Sequence, residues 1–422
     1  MNKTVNEQVD LLIIGAGPAG MSAALAAAPS GARIVLLDDN PLPGGQIWRD
    51  GPQAHLPTQA QQLREQLQAC ANVQVHSSTR VIARPADRQL LVENDQHGWL
   101  IGYQKLILCT GARELLLPFP GWTLPGVTGA GGLQALIKGG LSVAGQRVVI
   151  AGSGPLLLAS AATVRKNAAQ VVRIAEQATA HAVGGFTTQL LRWPTKLAQA
   201  IQLFDSTYRT ASHVVAALGS DRLEGVRLMQ QGKLVELACE RLACGFGLIP
   251  NTQLGQALGC ALQGQAIAVD GWQATSLPDH FAAGECTGFG GSELALVEGR
   301  IAGFAAVGEQ AAAQRLWPQR ERWQGFANAL NRAFALSPVL KTLAAPDTLV
   351  CRCEDVPYAS LHGHSNWREA KLASRCGMGA CQGRICGAAT AQLFGWQPSA
   401  PRPPFSPARI ETLLCVDDHA PG

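Results

Sequence analysis

Apolar residues in this chain gather in short, nearly unbroken runs that stop at a glycine or an acid. Residues 9–14 (VDLLII) stop at Gly15, and residues 34–37 (IVLL) stop at Asp38. Runs of this length with little alternation are the pattern of strands buried on both faces, as in a parallel sheet. Between them lies Gly15-Ala-Gly17-Pro-Ala-Gly20, then the alanine-rich stretch 21–28, which predicts a helix. Strand, glycine turn, helix and strand make a βαβ unit. In such a unit the first glycine permits the tight turn. The second lets a pyrophosphate approach the backbone, and the third lets helix and strand pack closely. Free N–H groups at the helix start favour phosphate, and an acid ending the second strand can accept hydrogen bonds from a ribose. Gly15, Gly17, Gly20 and Asp38 are therefore candidate dinucleotide contacts, with Asp39 the rival for the ribose.

The pattern recurs. Residues 148–151 (VVIA) run into Gly152-Ser-Gly154-Pro-Leu-Leu157, a helical stretch follows, and residues 171–176 (VVRIAE) end at Glu176. Gly152, Gly154 and Glu176 are the matching candidates. Leu157 stands where the third glycine belongs and is expected to push the helix away from the strand. Whether this second site takes NAD(P), ATP or nothing stays open. Two more runs end in glycine turns: residues 106–113 (LILCTGAR) and 280–291 (HFAAGECTGFGG), the latter before a helical stretch at 292–306. Strand ends of this kind face the ligand cleft in α/β sheets.

Composition narrows the class. The 422 residues have room for several domains. Charged residues are only 15% and hydrophobic residues 47%, so part of the surface is expected to be covered by a partner or by further copies of the chain. The net charge of +4, with no basic run interleaved with aromatics, argues against nucleic acid. Glycine and proline break the first apolar stretch, so no transmembrane segment is expected. No secretory signal is visible, which points to a cytoplasmic protein with reduced thiols.

Five of the twelve cysteines crowd into residues 351–386, as Cys351-Arg-Cys353 and as Cys376-GMGA-Cys381-QGRI-Cys386. A reducing compartment counts against disulfides. No CxxC is present, which counts against a catalytic dithiol. Spacing and ligand softness lead to a soft metal site, zinc or iron–sulfur. Cysteines 70, 109, 239, 244, 260, 286 and 415 read as core or surface thiols, though Cys286 directly follows Glu285.

GAGPAG at 15–20, DDNPLPGGQIWR at 38–49, CTGARELLLPFPGW at 109–122, GSGPLLLASA at 152–161 and AAGECTGFGGSELALVEGRIAG at 282–303 together resemble a thioredoxin-reductase-like flavin oxidoreductase with two dinucleotide domains. With CRCE at 351–354 and GMGACQGRIC at 377–386, the chain resembles the FAD- and iron–sulfur-carrying alpha subunits of bacterial opine oxidases and of hydroxyproline and proline dehydrogenases, and their counterpart in hydrogen cyanide synthase. The resemblance covers nearly the whole chain. It implies FAD contacts at Gly15, Gly17, Gly20, Asp38, Gly45, Gln46, Thr110, Gly111, Ala112, Gly284 and Glu285. It also implies a [2Fe–2S] cluster on Cys351, Cys353, Cys381 and Cys386, with Cys376 an extra thiol.

The expected architecture is α/β, with two Rossmann-like domains of the three-layer ββα type and a small cysteine-rich iron–sulfur domain. The FAD domain would come from residues 1–122 and 271–312, with a nucleotide-type domain, 123–270, inserted between them. A helical connector (313–346), a cluster domain resembling the BFD type (347–397) and a proline-rich tail (398–422), extended along a surface, would follow. The resemblance implies one component of a heteromeric, dye-linked amine or amino-acid dehydrogenase acting on D-hydroxyproline, an opine, proline or a glycine-type amine. Its partners would be an FAD-containing beta subunit with the substrate site and a small ferredoxin-like gamma subunit. A self-sufficient NAD(P)H-dependent flavin reductase and a non-catalytic nucleotide-binding scaffold are the alternatives. No catalytic acid or base is assigned.

Overall fold

The computed structural model describes residues 6–52, 54, 56–397 and 400–416. Two compact units form. The first takes residues 1–113, 250–327 and 400–422, and the second residues 114–249 and 328–399.

In the first unit the central strands Val73–His76, Ile34–Leu37, Asn6–Ile14 and Gly98–Leu108 lie side by side and parallel. The C-terminal half of Gly98–Leu108 also pairs in parallel with His280–Ala282. Its N-terminal half pairs antiparallel with Gln89–Glu93, which in turn pairs with Arg80–Ala86. The apolar runs read from the sequence form the middle of this sheet. Ile34, Val35, Leu36 and Leu37 are all buried because both faces are covered. On one face Leu11, Ile13, Ile34 and Leu36 meet the alanine-rich helix Pro18–Ala27 and helix Gly291–Ala306. Small residues there let the two helices lie against each other. Leu12, Ile14, Val35 and Leu37 face the other way, into a second apolar cluster.

Residues 400–416 belong to this first unit. Phe405 N donates to Ile82 O at 2.7 Å. Arg409 N donates to Glu93 Oε2 at 2.9 Å, and its guanidinium donates to the carbonyls of Asn94 and Asp95. The short helix Ile410–Leu414 follows, with Thr412 buried beside Gly98. Residues 398, 399 and 417–422 of the proline-rich tail lie outside the described residues.

The second unit holds a parallel sheet in the order Tyr208–Arg209, Gln170–Glu176, Arg147–Gly152, Arg241–Gly245, Val127–Gly129. A three-stranded antiparallel sheet, Ser212–Leu218, Gly225–Gln230 and Lys233–Ala238, belongs to the same unit. Helices Ala130–Lys138 and Leu156–Lys166 cover the parallel sheet through Leu133, Ile137, Ala161 and Val164. The cysteine-rich segment is built from the pair Leu349–Cys351 and Val356–Pro357 and the helices Trp367–Ser374 and Cys386–Phe394. Trp122 holds that segment to the sheet domain: its Nε1 donates to Leu349 O at 2.6 Å, and the Arg352 guanidinium lies 5.4 Å from its ring. Both units are mixed α/β layers, as the sequence pattern predicts. Among the described residues no helix is long and apolar enough to cross a membrane.

Candidate functional site

The first glycine turn is a cradle almost free of side chains. Helix Pro18–Ala27 starts at Gly17, with no side chain capping its N–H groups. Gly20 approaches the turn so closely that a Cβ would lie 1.8 Å from the Gly15 carbonyl oxygen. The second glycine-rich turn comes back to meet the first: Gly44 N donates to Ala16 O at 2.7 Å, and a Cβ on Gly45 would lie 3.0 Å from Gly17 Cα. Asp38 ties both turns together. Its Oδ2 accepts from Ala16 N at 2.5 Å, and its Oδ1 accepts from the backbone and side-chain nitrogens of Asn40 at 2.8 and 2.7 Å. Asp38 is buried while Asp39 is exposed. Gln46 is exposed and accepts from Arg49, whose buried Nε has no partner among the described residues.

Neighbouring strand ends complete this rim. Cys109 N donates to Ile14 O and Ala283 N to Leu108 O, so the turns after the three strands stand side by side. Asn251, which the sequence reading missed, fixes the turn of Thr110, Gly111 and Ala112. It accepts from Thr110 Oγ1 at 2.5 Å and donates to the carbonyls of Thr110 and Gly111 at 2.9 Å each. Gly284 N donates to Glu298 Oε2 at 3.0 Å, and Thr287 Oγ1 donates to the same oxygen at 3.3 Å. Burial raises the carboxyl of Glu285 above the usual range, and it pushes Glu298 up to about 7. Glu298 was also missed. Its signal is an acid flanked at helical spacing by Leu294, Val297 and Ile301, a position that must face the core. Glycines at a helix start, an acid at a strand end and an unpartnered guanidinium nitrogen fit the dinucleotide of a flavin.

The second glycine turn has the same backbone and a different covering. Glu176 is fully buried: it accepts from Gly154 N at 2.7 Å, from Ala178 N at 2.8 Å and from the Tyr208 hydroxyl at 3.2 Å. Burial raises its carboxyl. Residues 334–337 lie across the turn. Ser153 Oγ donates to Phe334 O at 2.9 Å, and the Phe334 ring sits 3.7 Å from where a Cβ of Gly154 would be. Gln177 holds the strap from below, donating to Ser153 Oγ and Ala335 O and accepting from Ser337 N, each at 2.9 Å. The Phe334 ring packs edge-on against Phe186. An aromatic ring thus lies within van der Waals reach of the Gly154 position. Leu157 is fully buried, and its bulk is taken up at Gly245, where a Cβ would lie 3.1 Å from the leucine methyl.

The five C-terminal thiols divide into two sets. Cys351, Cys376 and Cys386 are buried, with all three sulfurs within 4.8 Å of one another. Cys353 is exposed and Cys381 half-buried, outside that trio. The glycines allow these approaches: a Cβ on Gly379 would lie 2.4 Å from Cys353 Cβ, and one on Gly377 would lie 2.6 Å from the Trp367 ring. An ion pair between Arg375 and Glu354, at 2.7 Å, links the two cysteine segments. Backbone N–H groups aim at the sulfurs, those of Gly377, Glu354 and Cys353 at Cys351. Burial works against ionisation of Cys381. The Ile385 N–H, the Cys353 thiol and the Gly383 and Arg384 N–H groups outweigh it and hold that thiol below the usual value. The buried trio Cys351, Cys376 and Cys386 is compatible with an iron–sulfur site. Among the described residues no histidine or carboxylate joins the buried group.

Residues 9–311 match the pyridine nucleotide-disulphide oxidoreductase family. The chain is 32% identical to the HcnB component of hydrogen cyanide synthase from Pseudomonas protegens, over 89% of this chain and 89% of that one. It is 31% identical to an opine oxidase subunit of Rhizobium meliloti, over 92% of this chain and 82% of that one. The L-proline dehydrogenase of P. horikoshii shares the fold, with a TM-score of 0.69 at 18% identity over 97% of this chain and 81% of that one. The chain is thus a flavin-dependent oxidoreductase of the pyridine nucleotide-disulphide oxidoreductase family, grouped with these opine oxidase and hydrogen cyanide synthase subunits.

Proposed function

We propose that this chain is the FAD- and [2Fe–2S]-carrying subunit of a heteromeric amine or amino-acid dehydrogenase. A partner flavoprotein would oxidise the C–N bond of a substrate such as D-hydroxyproline, an opine, proline or a glycine-type amine. FAD accepts electrons as a pair and an iron–sulfur cluster passes them singly, so together they join a two-electron donor to a one-electron acceptor. In this reading Gly15, Gly17, Gly20, Gly45 and Gln46 bind the flavin's pyrophosphate end. Asp38 offers its remaining lone pairs to the ribose. The turns Thr110–Ala112 and Gly284–Glu285 shape the rest of the pocket. Cys351, Cys353, Cys381 and Cys386 hold the cluster. Residues 1–122 and 271–312 form the flavin domain and residues 347–397 the cluster domain.

The observation that carries this reading is the covering of the second glycine turn. Phe334 and the strap behind it stand where a nicotinamide dinucleotide would lay its phosphates. That weighs against a self-sufficient NAD(P)H reductase and favours electrons arriving from a partner protein. The test is to co-purify the chain with that partner, then screen amino acids and opines for dye reduction. The proposal expects reduction with one amine class, only when the partner is present, and no bleaching of the flavin by NADH or NADPH. Rapid flavin reduction by either nucleotide in the isolated chain would overturn it.

A further inference from the structure

Four thiolates suffice for a two-iron cluster, yet this site has five thiols. The fifth, Cys376, is not a bystander at the rim. It has no solvent exposure, and its sulfur lies within 4.8 Å of both Cys351 and Cys386. Two features of the local fold put it there. Helix Trp367–Ser374 closes at Arg375 in the left-handed region, φ 65°, and turns the next residue inward. Gly377 then leaves room for Trp367, which lies under both Gly377 and Gly383 and fixes the loop from below. Cys353 and Cys381 lie outside this group, and Cys353 is exposed. The two ends of the site are therefore unequal, with three thiols inside and two outside.

We propose that Cys376 is a reserve ligand for the inner iron, able to take the place of Cys386 within the buried trio. The proposal rests on the iron–sulfur reading given above. The exchange balances without an outside reagent. One sulfur–iron bond forms at Cys376 as the one at Cys386 breaks. The incoming thiol gives up its proton and the departing sulfur takes one. The two sulfurs lie within 4.8 Å of each other, so that proton has only a short way to go. No electron is transferred, and the site keeps its charge. The sulfurs need to shift only by a distance that side-chain rotation allows, because all three already share one buried pocket.

The experiment compares anaerobically purified full-length chain with C376A, C386A, C376A/C386A and C353A. Iron and acid-labile sulfide per chain, the visible absorption spectrum and the circular dichroism melt are measured for each. The proposal expects C376A to keep its iron and spectrum. It expects C386A to keep most of its iron, with a shifted spectrum that marks the changed ligand. The double variant should lose iron by about tenfold or more, and C353A should lose it as a single change. Should C386A fail to melt cooperatively, C386S provides the same comparison. A C386A or C386S protein that is folded yet as empty as the double variant would overturn the inference. So would a double variant that retains iron. Wild-type protein without iron would instead overturn the cluster reading itself.

Discussion

Glu298 shows how much one side chain can hold. It sits in the middle of helix Gly291–Ala306, 5% exposed, and accepts from the Gly284 backbone and Thr287. An isolated carboxylate in such a place favours its protonated form. Its pKa of about 7, against an ordinary 4.5, sets the sign of a pH effect. The stability it contributes is full below the unfolded value near 4.5 and is lost as pH rises through the folded value near 7. Glu298→Gln keeps an acceptor for Gly284 and cannot ionise. The variant should match wild type near pH 5 and be more stable by about 1–3 kcal/mol at pH 8. Thermal unfolding of the flavin-loaded protein at the two pH values decides this; a larger gain at the acid end would contradict it. The role of Glu298 was not read from the sequence because nothing local pairs it with Gly284. Asp38 is the opposite case. Its position after a strand marks it in the sequence, and in the fold it accepts from Ala16 N in the glycine turn.

Elements behave differently from residues. The two βαβ units were legible in the run lengths and glycine spacing, because those patterns answer to backbone geometry within thirty or so residues. What covers each unit was not. In the second unit the missing glycine at Leu157 drew attention, yet its bulk is accommodated at Gly245, a residue far away in sequence. The larger difference is the strap at 334–337, whose sequence carries no motif. Its hold on the turn passes through Gln177, buried and fully hydrogen-bonded. Gln177→Ala removes three of those bonds and should cost about 1–3 kcal/mol. Limited proteolysis should then cut near residues 334–337 faster than in wild type. An unchanged cleavage pattern would mean that Phe334 and Phe186 hold the strap without it.

Across the whole molecule the chain passes between its two units four times, and its last described segment ends in the first. Proline-rich composition predicts extended backbone but names no partner. The anchoring of residues 400–416 on the strands Arg80–Ala86 and Gln89–Glu93 therefore emerges only in three dimensions. Arg409 is the main clasp, meeting Glu93, Asn94 and Asp95 together. Arg409→Ala should lower stability by about 1–3 kcal/mol and loosen the segment. Hydrogen exchange at Ile82 and Glu93 should quicken while the thiol segment is unaffected. Equal exchange in both proteins would count against the clasp.

That same segment has a consequence for biosynthesis. Ile82, Ala83, Leu91 and Leu100 leave the ribosome early, whereas Ala408, Cys415 and Val416, which pack against them, are made near the end. For most of translation this edge of the flavin domain stays uncovered, a natural place for chaperones to act. Final closure of the first unit waits until synthesis has passed the cysteine-rich module.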